Sequence, residues 1–351
     1  MPEFIYAEDT MPVSPIVTIV VVPRDRFSSV VKCVDAIVEH TDAPCRLTIL
    51  DFGYAASELQ RVRDRCGGVE LEIVPVGRTI PMVAFRDFLP KVTTKYLAWV
   101  DNDTFVTTGW MTALLERAAQ GARVILPVTL EREGLDIDSR RLVARNHVSH
   151  TEFRRTEVNG KQYCIDYKPY RRAAPEEIPQ GGHTVDYFEL HAFFAETEVL
   201  RQLDYPPMVI REHIDLGIQL NKLGIPIWCE PKAVVHFDNI HERPTLRDLK
   251  FFFFRWDQRL VNESADLFEK RWGYRFFNEQ FMKNWAFRRK AFSIARFLHV
   301  PHKIADLYSR AMHKFFAPKI PAVFVKEPAK MERILTPVVR QEESATRVVL
   351  N

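Results

Sequence analysis

The stretch Tyr96-Leu-Ala-Trp-Val-Asp-Asn-Asp103 decides how the rest of the chain is read, because it runs straight from a buried strand into two carboxylates two positions apart. Upstream of it, short β-branched runs alternate with amphipathic stretches. Ile16 to Val22 reads as a buried strand, Leu47 to Leu50 as a second and Leu71 to Val74 as a third. Between them Val30, Val34, Ile37 and Val38 share one face of a helix that Ser28 can cap, and Ser57 can cap another. Downstream, Met111, Leu114, Leu115 and Ala118 mark a helix and Val124 to Leu126 a further strand. Such a β-α series predicts an α/β fold, a mostly parallel sheet with helices on both faces, whose ligands gather beyond the carboxyl ends of the strands. Pro23, Arg24 and Asp25, then Asp51, then Gly77 and Arg78, then Asp101, Asn102 and Asp103 all stand at such ends. Four strand ends therefore converge on one candidate site.

Three constellations carry chemistry. Asp101 and Asp103 can hold a hard divalent cation, Mn²⁺ or Mg²⁺, against a diphosphate, since such ions take oxygen ligands and keep sites open for phosphates. The plain alternative is a polar turn. In Arg211-Glu-His-Ile-Asp215, Glu212 and Asp215 are neighbours on one helical face and Leu216, Leu220 and Leu223 form the buried stripe. This places Glu212 and Asp215 toward a cleft and His213 elsewhere. The alternative is a solvated helix start favoured by the macrodipole. His236 ends a short apolar run and can add a nitrogen ligand to the same metal if its strand lies beside the Asp-x-Asp loop.

From about Glu131 to Gly182 the periodicity stops, and the segment, rich in arginine (Arg132, Arg140, Arg141, Arg145, Arg154, Arg155, Arg171, Arg172), reads as a long, partly mobile insertion. Order returns with Val185 to Thr197, a helix around Ile214 to Leu223, and two short strands, Pro226 to Trp228 and Ala233 to Phe237. Beyond residue 240 the pattern is helical and aromatic. Between Lys283 and Lys319 nine Lys or Arg face a single acid, Asp306, with Trp285, Phe287, Phe292, Phe297 and Phe315 interleaved. That is the pattern of a basic helix lying on an anionic membrane, or of an appendage packing its aromatics inward.

Composition narrows the classes. With 46% hydrophobic residues in 351 the chain can bury a sizeable core, and a net charge of +3 does not argue for a nucleic-acid partner. The five cysteines form no C-x-x-C pair, the start lacks a secretory pattern, and no apolar run reaches the roughly 18 to 20 residues of a membrane span. These features predict a cytoplasmic protein, with peripheral contact at the inner face of the plasma membrane through residues 283–319.

Taken in order, strand one, Asp51, Gly77-Arg78, Arg86-Asp87, Asp101-Asn-Asp103, Gly109-Trp110, the Glu212-to-Asp215 helix with Gly224, and Pro231 to His236 resemble a family 2 glycosyltransferase with the Rossmann-like GT-A fold. The resemblance covers residues 15–240, divided at about 127 into a nucleotide-binding and an acceptor half. Residues 1–14 and 241–351 remain as an N-terminal tail and a helical C-terminal extension with its own tail. It implies that Pro23, Arg24 and Asp51 hold the nucleotide base and that Arg78 and Arg86 lie near the nucleotide and its phosphates. It also implies Asp101 and Asn102 near the ribose and Asp101, Asp103 and His236 on the metal. The family's common Glu-Asp-x-Asp signature stands here as Glu212-His213-Ile214-Asp215, leaving all three titratable residues as candidate bases. Phe188-Glu-Leu-His191 replaces the small residues common ahead of this region and points to a particular acceptor site. The implied activity is inverting, metal-dependent transfer of a sugar from a nucleoside-diphosphate sugar, UDP-sugar favoured, to a carbohydrate or glycolipid hydroxyl in polysaccharide or glycoconjugate synthesis. A haloacid-dehalogenase-like phosphatase shares the Asp-x-Asp, and a non-catalytic nucleotide-sugar binding module shares the fold.

Overall fold

The computed structural model describes residues 14–131, 145–146, 151–168, 177–237, 243–319 and 332–333. The first half follows the predicted series: β1 (Val17–Val22), α1 (Val30–His40), β2 (Cys45–Asp51), α2 (Ala56–Arg65), β3 (Glu70–Pro75), α3 (Pro81–Phe88), β4 (Tyr96–Asp101), β5 (Thr104–Val106), α4 (Trp110–Ala119) and β6 (Val124–Glu131). β1 pairs in parallel with β2 and β4, and β2 with β3. Every residue of β1 and β4 is buried, because helices cover both faces of a parallel sheet; hence the unbroken apolar runs.

The second half adds β7 (Arg145–Asn146), β8 (Glu152–Val158), β9 (Lys161–Tyr167), β10 (His183–Val185), β11 (Ala192–Glu196), α5 (Thr197–Leu200), α6 (Glu212–Lys222) and β12 (Ile227–Phe237). The main sheet runs β10-β12-β6-β11-β4-β1-β2-β3, with β5 on β12 and β7 on β6. β11 lies antiparallel between β4 and β6, so the sheet is mixed, though mostly parallel. α6 runs so close to the preceding segment that a Cβ on Gly217 would sit 2.6 Å from the Asp186 carbonyl oxygen. That contact fixes the position of α6.

Three expectations change. The two strands at 226–228 and 233–237 are one, β12, with a register shift between Glu230 and Val234 where Pro231 supplies no N–H to the ladder. Within the polar insertion, β8 and β9 form a hairpin closed by Asn159 (φ 51°) and Gly160 (φ 72°), the left-handed pair that tight hairpins need. Its buried Phe153 meets Phe268 and Tyr274, and its main-chain N–H donates to Asp186. Arg132, Arg140, Arg141, Arg171 and Arg172 lie outside the described residues. Neither serine caps as expected: Ser28 instead donates its main-chain N–H to Asp248, and α2 opens with the Ala55 N–H on Glu58.

The C-terminal helices α7 (Leu246–Arg255), α8 (Gln258–Trp272), α9 (Asn278–Phe281), α10 (Arg288–Phe297) and α11 (His302–Phe316) follow, and β13 (Glu332–Arg333) pairs with β8. They pack on the carboxyl-end edge of the sheet. Asp248 takes part in the α7 cap with Thr245 and also accepts from the N–H groups of Phe27 (2.6 Å) and Ser28 (3.2 Å). Ser264 of α8 accepts from the N–H of Val209, just ahead of α6. None of the described helices is long and apolar enough to cross a membrane.

Candidate active site

The carboxyl ends of β1 and β4 meet at Asp101. Its Oδ1 accepts from the Trp99 indole (2.9 Å) and its Oδ2 from Arg24 (2.9 Å). Asn102, fully buried, accepts from the Arg24 N–H and donates to the Arg26 carbonyl and the Tyr54 hydroxyl, so its side chain braces the loops after β1 and β2. Asp25 accepts from Trp256 (2.8 Å) and lies near Arg255 and Arg289. Burial alone would raise the Asp25 carboxyl, but Arg289, Arg24 and Arg255 hold it below the usual range. Asp103 has no such company. Both its oxygens are buried without a hydrogen-bond partner, and burial together with the charge of Asp101 pushes its carboxyl well up. Burial raises Asp101 too, with Arg24 and Trp99 opposing.

Next to this cluster lies a polar cavity of about 290 Å³ over the start of α6. Val209, Ile210, Arg211, Glu212 and His213 line it consecutively, so it caps the end of the helix and does not run along its side. Arg211, with φ at 63°, holds a left-handed conformation that costs a non-glycine residue about 1 kcal/mol or more. Its guanidinium pairs with Asp166 at 2.7 Å and lies over the ring of Phe276. Glu212 faces Arg255 through Oε1 (3.5 Å), while its Oε2 is buried and unpartnered. His213 Nε2 is 4.0 Å from Glu189, and burial lowers its pKa below the ordinary imidazole value despite Glu189 and Glu212. Glu189 also accepts from Lys168. His191 stacks on Phe237 at 3.8 Å between ring centres and stands 3.6 Å from Asp101.

Of the residues that the sequence singled out, Glu212, His213, Glu189 and His191 line this cavity, although the helix spacing points Glu212 and Asp215 toward a cleft and His213 elsewhere. His213 lines the cavity beside Glu212, and Asp215 does not. One turn in, Asp215 is wholly buried and saturated by Arg271 (2.8 Å), the Trp272 indole (2.6 Å) and Gln219 (2.6 Å). Because the cavity sits off the helix end, depth along the axis matters as much as angle around it. The remaining walls, Asp166 and Lys168 from the hairpin and Arg255, Trp256 and Arg289 from α7 and α10, were not foreseen; the Asn159-Gly160 turn was the available signal for the hairpin.

A second cavity of about 1040 Å³ opens on the far side of the β1 loop, over the ends of β2 and β3. Phe27, Phe52, Phe251 and Phe254 give it aromatic walls, and Arg78, Lys250 and Lys290 give it positive charge. Arg78 lies 4.6 Å above the Phe254 ring. Asp51 anchors its own loop by accepting from the N–H groups of Gly53 and Tyr54, Pro23 is buried, and Arg86 is exposed beside Asp87.

Among the described residues, Asp101, Asp103 and His236 do not form a three-ligand group; on β12 it is Phe237, not His236, that lines the cavity, since successive strand residues leave opposite faces. The trio with ligand atoms within 4.8 Å of one another is Asp166, Glu189 and His213. Lys168 and Arg211 already neutralise its carboxylates; they also hold Asp166 below the usual range against the opposing effect of burial. The oxygens of Asp103 suit a hard cation better, because neither has a hydrogen-bond partner among the described residues and Arg24 and Arg26 only partly offset its charge.

No protein-family model matches the chain, and no curated protein sequence does. Similar solved structures include GalNAc-T7 with UDP, GalNAc and Mn²⁺, at 13% identity and TM-score 0.47 over 80% of this chain and 58% of that one. Another is the mannosyltransferase PcManGT from Pyrobaculum calidifontis with GDP-Man and Mn²⁺, at 15% identity and TM-score 0.45 over 85% and 74%. This chain thus spans less than two thirds of the GalNAc-T7 chain. Likenesses this distant carry no argument about chemistry, which rests on the residues above.

Proposed function

We propose that the chain is a metal-dependent glycosyltransferase that moves a sugar, with inversion, from a nucleoside-diphosphate sugar to an acceptor hydroxyl. The observation that carries the reading is Asp103, a buried carboxylate with both oxygens unpartnered, two residues from Asp101, whose partner Arg24 lines the smaller cavity. The wide cavity suits a nucleoside diphosphate, its phenylalanines stacking the base and its cations facing the phosphates. The smaller cavity suits the sugar and the acceptor.

A Mn²⁺ or Mg²⁺ held by the unpartnered oxygens of Asp103 would supply charge compensation at the departing diphosphate. Glu212 is the base. Its free Oε2 takes the proton of the acceptor hydroxyl as that oxygen bonds to the anomeric carbon, and the bond from carbon to diphosphate breaks toward the diphosphate. Arg255 fixes the other carboxylate oxygen, and Asp166, Lys168, Glu189 and His213 are placed to receive acceptor hydroxyls. Asp101, the carboxylate a dehalogenase-like phosphatase would use as nucleophile, has both oxygens engaged, which speaks against that alternative.

The test is calorimetry with UDP-, GDP- and dTDP-sugars, with and without Mn²⁺. One nucleotide sugar should bind in a metal-dependent manner and be consumed with an acceptor, and Asp103→Asn should abolish the metal dependence. Equal binding to wild type and Asp103→Asn with and without metal would refute the assignment.

A further inference from the structure

Helix α11 keeps its small residues inside and its large apolar ones outside. Ala305 and Ser309 are buried, whereas Leu307 is 69% and Phe315 71% exposed, with Ile304 and Tyr308 also exposed. At about 100° per residue, Ile304, Leu307, Tyr308, Ala311 and Phe315 fall within an arc of about 100°, a full apolar face turned to solvent. Lys303, Arg310 and Lys314 line one flank of that arc. On α10, Lys290, Ile294 and Leu298 follow at four-residue spacing, so one stripe leads from the rim of the wide cavity toward α11, with Leu298 64% exposed.

Of the aromatics that the sequence singled out, Phe315 lies on this face, whereas Trp285 packs on Trp256 at 4.3 Å and Phe292 is buried. Charge identifies what covers the outer face. Residues 283–319 hold nine basic residues and one acid, Asp306, which Arg288 and Arg310 neutralise; Arg289 turns inward to Asp25, and the border of the outer face is carried by the exposed Lys303 and Lys314. The surface left over is apolar with a positive border, complementary to acyl chains below and anionic headgroups around them.

We propose that the α10–α11 face docks on an anionic lipid bilayer, with Ile294, Leu298, Ile304, Leu307 and Phe315 entering the interface and Lys303 and Lys314 meeting headgroups. Docking there sets the rim of the wide cavity against the membrane surface. The proposal is independent of what either cavity binds.

Flotation of the full chain tests it, using phosphatidylcholine vesicles with and without phosphatidylglycerol at low and high salt. Co-flotation with the anionic vesicles at low salt is expected, weakened by high salt because the attraction is screened within about 8 to 10 Å. Leu307→Asp and Phe315→Asp should remove it, and Lys314→Ala should weaken partitioning about fivefold. All three residues are exposed, and an unchanged thermal midpoint confirms folding. Absence of co-flotation at low salt, or full flotation of the two aspartate variants, would overturn it. So would a wild-type dimer that Leu307→Asp splits into monomers, since a second copy would then cover the face.

Discussion

Asp101 and Asp215 lie in different halves of the molecule and are held by the same kind of clamp, an arginine and an indole N–H: Arg24 and Trp99 on one, Arg271 and Trp272 on the other. Each has an acidic neighbour close in sequence, Asp103 and Glu212, that keeps buried oxygens without partners. The clamped carboxylate positions backbone, and its neighbour is left available for chemistry. The two pairs differ in what their clamps touch. Arg24 lines the smaller cavity, so Asp101 belongs to the site as well as to the scaffold, whereas Arg271 reaches back to Asp204 and serves architecture alone. In the reading proposed above, hydrogen-bond saturation marks Asp215 as a framework acid and leaves Asp103 and Glu212 for the metal and the proton.

This division can be broken at each member. The largest effect should come from Glu212→Gln, which keeps the shape and removes the proton acceptor: transfer should fall by roughly 10² to 10⁴ with donor affinity retained, read by steady-state kinetics and calorimetry. If instead Asp215→Asn abolishes transfer in a protein of unchanged stability, Asp215 is no framework residue. Next comes Asp215→Ala, which leaves the Trp272 indole without its acceptor and Arg271 with Asp204 alone, and should cost about 3 kcal/mol in urea unfolding. Asp103→Asn should act the other way, raising metal-free stability by about 1 kcal/mol because an amide that never ionises replaces a buried carboxyl whose ionisation burial and Asp101 oppose; a large loss would mean that the carboxyl is stabilised where it lies.

The smallest effect concerns His213, whose folded-state pKa burial holds below the ordinary value. The unfolded chain binds this proton more readily than the folded one, so the contribution to stability is full above the unfolded pKa, about 6.5, and is lost as pH falls toward the folded value. Unfolding midpoints against pH should show that slope in wild type and lose part of it in His213→Gln. Equal slopes would mean that the imidazole is charged in the folded state.

The nucleotide-side fold was legible because strands buried on both faces are written as unbroken apolar runs, β1 and β4 above all. The β8–β9 hairpin was not, since β8 is rich in charge at Glu152, Arg154, Arg155 and Glu157, and the two strands bury only Phe153, Thr156, Tyr163 and Cys164. Its Asn159-Gly160 turn was the one local mark. In the site, Asp101 with Asp103 and Glu212 with Asp215 stood out by spacing, and His213 only as a departure from the signature the chain resembles. The role of Asp215 was hidden because its partners, Arg271 and Trp272, lie 56 and 57 residues downstream, and no local pattern encodes a contact at that separation.

The loop after β1 also has a history in time. Its Phe27 N–H bonds to a residue 221 positions later and its Asp25 to one 231 positions later. At typical synthesis rates of 5 to 20 residues per second, roughly 10 to 45 s separate the emergence of that loop from that of the helix that secures it. During that interval the N-terminal β-α units can assemble while the Asp25 carboxylate still lacks its indole and guanidinium partners. The nascent chain therefore holds a folded sheet with an unfinished edge, completed only when α7, Trp256 and then Arg289 of α10 have been made.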